Sequence, residues 1–358
     1  MLDDKLKALW TRISPPQKAA FFGCFLSGYL VHLYVFTNII PNSDGLSRIF
    51  DPQQMTVSGR WFLHFASYFN GFTQMPAVIG LFSVLFLALA AALAVSLLGI
   101  RSRALSALSG ALMAAFPAVG YTFLYLFTAS AYCFAIFLAV LSVSLARRGR
   151  WHWLAGCLLL ACSMGTYQAY VTVAIGLSLL VIFRETLDPS ASFSATLRLG
   201  VRLMLFLAAG AVLYYGILLV FLQVKDLELL SYLGMDAASS GYPFSRLPGL
   251  LLDTYKQVAA FFFLPGSANT FTSGWMAVLD LAALALGGGC FLLCMGQEGL
   301  WRARWRPLGG LAMLALLPLG INFGQILSPW SAPTPLMKYA FVLVYLAVVL
   351  LADRALPA

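Results

Sequence analysis

Residues 154–183, LAGCLLLACSMGTYQAYVTVAIGLSLLVIF, form one apolar run with a polar insert, Ser163-Met164-Gly165-Thr166-Tyr167-Gln168, at its middle. As a single helix at ~1.5 Å per residue the run would be about 45 Å long, well beyond the ~30 Å of hydrocarbon in a bilayer. If it is one span, Arg150 and Arg184 lie on opposite sides of the membrane. If it is two short helices turning near Gly165–Gln168, both arginines face the same compartment. With the N-terminus inside, the second reading puts Lys5, Lys7, Arg12, Lys18, Arg101, Arg103, Arg147, Arg148, Arg150, Arg184, Arg198, Arg202, Arg302, Arg304, Arg306 and Arg354 inside. Those are 16 of the 22 basic residues, leaving Arg48, Arg60, Lys225, Arg246, Lys256 and Lys338 outside. Cytoplasmic loops carry the excess of Lys and Arg, so the hairpin is the expected form, with both termini cytoplasmic.

Working outward, the whole chain has the same character. Of 358 residues, 61% are hydrophobic and 10% charged, more apolar surface than a soluble domain of this length can hide. The expected fold class is an all-α polytopic membrane protein of about ten transmembrane helices, a single transmembrane domain over 1–358. Apolar runs fall at 19–40, 76–100, 104–120, 122–146, 154–183, 203–224, 270–296, 307–327 and 336–352, with Pro117 and Gly120 marking a turn between the third and fourth. The first run is too long for a cleaved signal core and reads as an uncleaved span. A net charge of +9 is explained by loop placement and calls for no nucleic-acid partner. All six cysteines lie in apolar runs and read as small packing residues, with neither disulfide nor zinc spacing.

Two loops on the expected outer side are long, 41–75 and 225–269. In the first, Trp61, Phe62, Phe65 and Phe69 recur at helical spacing, as do Leu229, Leu230 and Leu233 in the second, the pattern of helices lying in the membrane interface. A non-helical turn at membrane depth is tolerated only where protein or a wet cavity surrounds it, so the hairpin turn at Tyr167-Gln168 implies such a cavity. The candidates for chemistry lie on that side. Asp44 and Asp51 suit a base, a metal ligand or a helix cap; Arg60 suits a phosphate or an interface anchor. Arg48 and Lys338 are further external cations, Lys338 also reading as a snorkelling lysine. His64 stands beside the first loop, and Asp280 is the one acid well inside a span, read equally as a cavity residue or a helix–helix hydrogen bond. No His, Cys or acidic grouping has metal-ligand spacing, and no P-loop or dinucleotide glycine pattern occurs.

Asn42-Ser43-Asp44-Gly45 after the first span, Gly59-Arg60-Trp61 before the second, and Gly165-Thr166-Tyr167-Gln168 in the hairpin resemble, in order and spacing, the O-antigen glucosyltransferase family of the GtrII type. That family comprises integral-membrane glycosyltransferases of the GT-C class. The resemblance implies a polyprenyl-phosphate sugar donor, a cell-envelope glycan such as O-antigen as acceptor, and a site on the outer face of the bacterial cytoplasmic membrane, with a flippase and a donor synthase as partners. It makes Asp44 the general base, with Asp51 in reserve, because Gly45 stands where members often carry a second acid. It assigns Arg60, then Arg48 and Lys338, to the donor phosphate, and Tyr167, Gln168 and His64 to substrate; it leaves a divalent metal open. The competing expectation is a polytopic transporter or lipid-linked sugar flippase, for which charges near midplane and internal repeats would speak; the chain has Asp280 and no repeat.

Overall fold

The computed structural model describes residues 10–40, 43–47, 55–70, 75–229, 244–266, 272–297, 299–328 and 334–356. The protein is an all-α polytopic membrane protein. Its main helices are α1 (Pro15–Thr37), α2 (Pro76–Leu98), α3 (Arg103–Ala115), α4 (Pro117–Leu124), α5 (Leu126–Ala146), α6 (Arg150–Thr166), α7 (Val171–Thr186), α8 (Phe193–Val224), α9 (Leu247–Phe263), α10 (Gly274–Gln297), α11 (Trp305–Ile321) and α12 (Val342–Ala355). Eight helical segments among the described residues are long and apolar enough to cross a membrane; α11, at 17 residues, is a shorter apolar helix.

Side-chain ties between helix ends order these segments into a bundle. Arg147, just past α5, pairs with Glu185 near the end of α7 at 3.5 Å, so the start of α6 and the end of α7 lie at the same end of the bundle. The chain therefore reverses between α6 and α7, across Tyr167 and a 3-10 turn at Gln168–Tyr170. Arg184 Nη1 donates to Leu97 O at 2.9 Å, and Arg202 Nε donates to Ala146 O at 2.6 Å. The buried Arg306 reaches the carbonyls of Thr186, Asp188, Pro189 and Ala191. Asp353, 3% exposed, accepts from the backbone N–H of Arg101 at 3.0 Å and of Ser102 at 2.8 Å. One end of the bundle thus gathers Arg101, Arg147, Arg184, Arg202 and Arg306.

Two expectations about boundaries are corrected. The turn assigned to Pro117 and Gly120 lies instead at Tyr125, between α4 and α5. Pro117 opens a new helix, and the residue before it, Phe116, is extended at φ −60° and ψ 135°, so the chain bends there and continues in the same direction. The bend costs α3 its last hydrogen bonds, because proline has no N–H for Met113 O and the extended Phe116 displaces the partner of Ala114 O. Other elements replace them: His32 Nε2 of α1 donates to Ala114 O at 3.0 Å, and Tyr339 Oη donates to Met113 O at 3.3 Å. The second correction concerns α8, which begins at Phe193, ten residues before the apolar run, and includes Arg198 and Arg202.

In the first long loop, Trp61 and Phe62 lie in a turn; within the aromatic stretch 61–70 only Leu63–Ala66 is α-helical, followed by a 3-10 turn at Ser67–Asn70. The single amphipathic helix expected from the aromatic spacing is therefore broken into pieces. In the second, Leu230 and Leu233 lie outside the described residues, and the helix that is described, α9, packs against α10 and α11. Its Gln257 accepts from Asn322 Nδ2 at 3.1 Å, where α11 ends away from the arginine-rich end.

Candidate functional site

The turn that precedes the first aromatic segment is built from Met55 to Trp61. Thr56–Ser58 make a 3-10 turn capped by Gly59 in the left-handed region at φ 78°, a conformation that glycine adopts without steric cost. Met55 and Arg60 close the turn as an isolated antiparallel bridge. This turn sits on the α6–α7 reversal: Phe62 N–H donates to Gly165 O at 2.7 Å, and the Trp61 indole lies against Gly165 and stacks on Phe221 of α8. Two stretches that supplied candidate residues, joined by a hydrogen bond between positions 103 residues apart, are thus one structural unit.

Arg60 points into an aromatic cluster. Its guanidinium carbon lies 4.8 Å from the centre of the Tyr167 ring, and Nη1 donates to Tyr132 Oη at 3.3 Å. Tyr132 and Tyr167 stack with ring centres 4.7 Å apart, and Tyr170 closes the group edge-on at 5.3 Å from Tyr167. A guanidinium against a ring face has part of its solvation replaced by the ring quadrupole. Gln168 Nε2 donates to Ser58 O at 2.7 Å and to Tyr214 Oη at 3.2 Å, and Tyr214 Oη donates to Gly59 O at 3.0 Å.

Of the candidates named from sequence, Arg60, Tyr167 and Gln168 come together here. Lys338 is 6% exposed, in a 3-10 turn over Pro335–Phe341 that packs against the Gln168–Tyr170 turn, with its Nζ 5.8 Å from the Phe261 ring centre. That burial departs from a lysine snorkelling to the membrane surface. His64 is half-buried, its ring edge-on to Phe65 and Tyr68. Asp44 is exposed in the short helix Ser43–Ser47. Arg48 and Asp51 lie outside the described residues. Asp280 is buried and accepts from Tyr345 Oη at 2.6 Å, a hydrogen bond between α10 and α12. Among the described residues no group of three or more His, Cys, Asp or Glu could hold a metal ion. Tyr132 and Tyr214 were not singled out from sequence, since a tyrosine within an apolar run reads as core.

A family model described as glucosyl transferase GtrII matches residues 33–351, from near the end of α1 into α12. The chain belongs to this family. The GtrII match spans both the Gly59-Arg60-Trp61 turn and the Gly165–Gln168 reversal, and membership supports a glycosyltransferase role for the protein. No curated protein matches the chain, and no solved structure does either. For this GtrII-family protein the packing of the two motif-bearing turns is accordingly read from its own geometry.

Proposed function

We propose that this GtrII-family protein transfers a sugar, glucose by its family, from a polyprenyl-phosphate donor to a cell-envelope glycan such as O-antigen. The reading takes the fold as GT-C-like with ten crossings, α6 and α11 joining the eight longer segments. The arginine-rich end is cytoplasmic by the positive-inside bias, which makes both termini cytoplasmic and sets the Arg60 cluster on the outer side of the bacterial cytoplasmic membrane. The helical pieces of the two outer loops lie in the membrane interface. A donor synthase and a flippase would supply the lipid-linked sugar to that side.

The chemistry asks for two groups. The acceptor hydroxyl bonds to the anomeric carbon as the bond from that carbon to the phosphate oxygen breaks; the hydroxyl proton passes to a carboxylate, and the polyprenyl phosphate leaves. Asp44 takes the proton, with Asp51 as the alternative acid. Charge growing on the leaving phosphate is stabilised by cations aimed at it, Arg60 first, then Arg48 and Lys338. Tyr167, Gln168 and His64 contact substrate. The observation that carries the reading is the placement of Arg60, held on the face of Tyr167 where its turn docks on the helix reversal.

The test is transfer of labelled sugar from polyprenyl-phosphate glucose to envelope glycan in membranes at matched expression. Arg60→Gln and Asp44→Asn are each expected to lower kcat/KM at least 100-fold, the scale of losing a general base or a phosphate-stabilising charge. Full transfer by Asp44→Asn removes that residue and shifts the base to Asp51. Absence of transfer by the unaltered chain, together with donor translocation in vesicles, would replace the reading with the flippase alternative.

A further inference from the structure

We infer that Tyr132 and Tyr214 are positioning residues for the glycosyl transfer, acting through Arg60. This rests on the reading that Arg60 meets the donor phosphate. The inference starts from the groups that hold the arginine's turn. That turn runs from Met55 to Trp61, bends at Gly59 with φ 78°, and presents two acceptor carbonyls just before the arginine, Ser58 O and Gly59 O. Both are taken by side chains from the bundle: Gln168 from the reversal and Tyr214 from α8. The two side chains also bond each other, so the clamp is a closed triangle of hydrogen bonds on the backbone just before Arg60.

Tyr132 acts one step further out. Its hydroxyl accepts from Arg60 Nη1 while its ring backs the Tyr167 ring on which the guanidinium rests. The side chain of Arg60 is thus fixed in both direction and depth, and the backbone beneath it is fixed by Tyr214. Tyr132 is 3% and Tyr214 7% exposed, so both hydroxyls are placed by packed helices instead of by solvent-exposed loops. An unanchored loop arginine must lose side-chain freedom each time it binds an anion; preorganising it removes that cost from the binding step. The expected signature is a donor KM that rises when either hydroxyl is deleted, with kcat changing less.

The experiment compares Tyr132→Phe, Tyr214→Phe, Arg60→Gln and the doubles Tyr132→Phe/Arg60→Gln and Tyr214→Phe/Arg60→Gln in membranes supplied with polyprenyl-phosphate glucose. Tyr215→Phe, at a side chain 53% exposed next to Tyr214, is the control for removing a hydroxyl from α8. Each single Tyr→Phe change is expected to raise the donor KM about tenfold, the scale of one hydrogen bond to or beside a charged group. Neither is expected to add a further loss once Arg60 is Gln, because a residue acting through Arg60 has nothing left to position. Tyr215→Phe should transfer as the unaltered chain does. Losses that multiply in the doubles would overturn the inference, as would full transfer by both Tyr→Phe singles beside a crippled Arg60→Gln. Full transfer by Arg60→Gln would overturn the role of Arg60 itself and the inference with it.

Discussion

At Gly165 the Trp61 indole occupies the space that a methyl group would need: a Cβ built there falls 2.6 Å from Trp61 Cε2. The ring cannot slide away freely, because its other face stacks on Phe221 at 5.7 Å between centres. Gly165→Ala is therefore expected to push the turn off the helix reversal, costing about 1–3 kcal/mol by overpacking. Transfer should fall more than the thermal midpoint does, since the displaced turn carries Arg60; a midpoint lowered with transfer intact would mean that the docking of the two turns does not matter to the chemistry. The motif residues themselves were legible in the chain, because Arg60 is a charged residue at the start of an aromatic stretch in a loop and Tyr167-Gln168 a polar insert in the middle of an apolar run. Their partners were not. Nothing about Tyr132 or Tyr214 in one dimension separates a tyrosine that binds an arginine from one that fills a core, and Lys338 reads the same whether it snorkels or is buried against Phe261.

At the scale of elements, the bend between α3 and α4 shows how a helix break is accommodated inside an apolar bundle. Water is not at hand to satisfy the freed carbonyls, so side chains of α1 and of the Pro335–Phe341 turn do so. His32→Leu keeps the bulk and removes the donor to Ala114 O. The expected cost is about 1–3 kcal/mol for a carbonyl left unsatisfied, read as a lower midpoint in a thermal-unfolding series in detergent. An unchanged midpoint would show that the bend is held by Pro117 alone. The reversal at 165–170 was legible from its polar insert, and the reason is the same physics: polar residues interrupt a run where the helix must end. The bend was misread as a turn because proline signals a break without saying whether the chain reverses after it. The early start of α8 was missed for the opposite reason, since Arg198 and Arg202 end a hydropathy run but not a helix; arginine is a good helix former.

For the molecule as a whole, the asymmetry between its ends is the feature with the most direct readout. Arg147 with Glu185, Arg101 with Asp353 and Arg306 with the 186–191 connection tie helices together at one end. The Arg60 cluster and α9 belong to the other. If the first end is cytoplasmic, a membrane-impermeant thiol reagent applied to intact cells should label Glu228→Cys and spare Ser190→Cys until the cells are opened, both positions being exposed. The native cysteines give little background, five of the six being buried. Labelling of Ser190→Cys in intact cells would invert the topology and put the Arg60 cluster inside. The reversal at 165–170 decides how many of the arginines share that end, which is why one short polar insert weighed so heavily on the reading of the entire chain.

The clamp on the Gly59 turn also sets an order of events during synthesis. Gly59 leaves the ribosome 155 residues before Tyr214, about 8–30 s earlier at ~5–20 residues per second. For much of that interval the arginine-bearing turn lacks the reversal and the Tyr132–Tyr167 pair, and after these have been made it still lacks Tyr214. A chain halted between the reversal and α8 would hold both motif-bearing turns and still lack one side of the clamp, so completion of the clamp is a late step that reports on the arrival of α8.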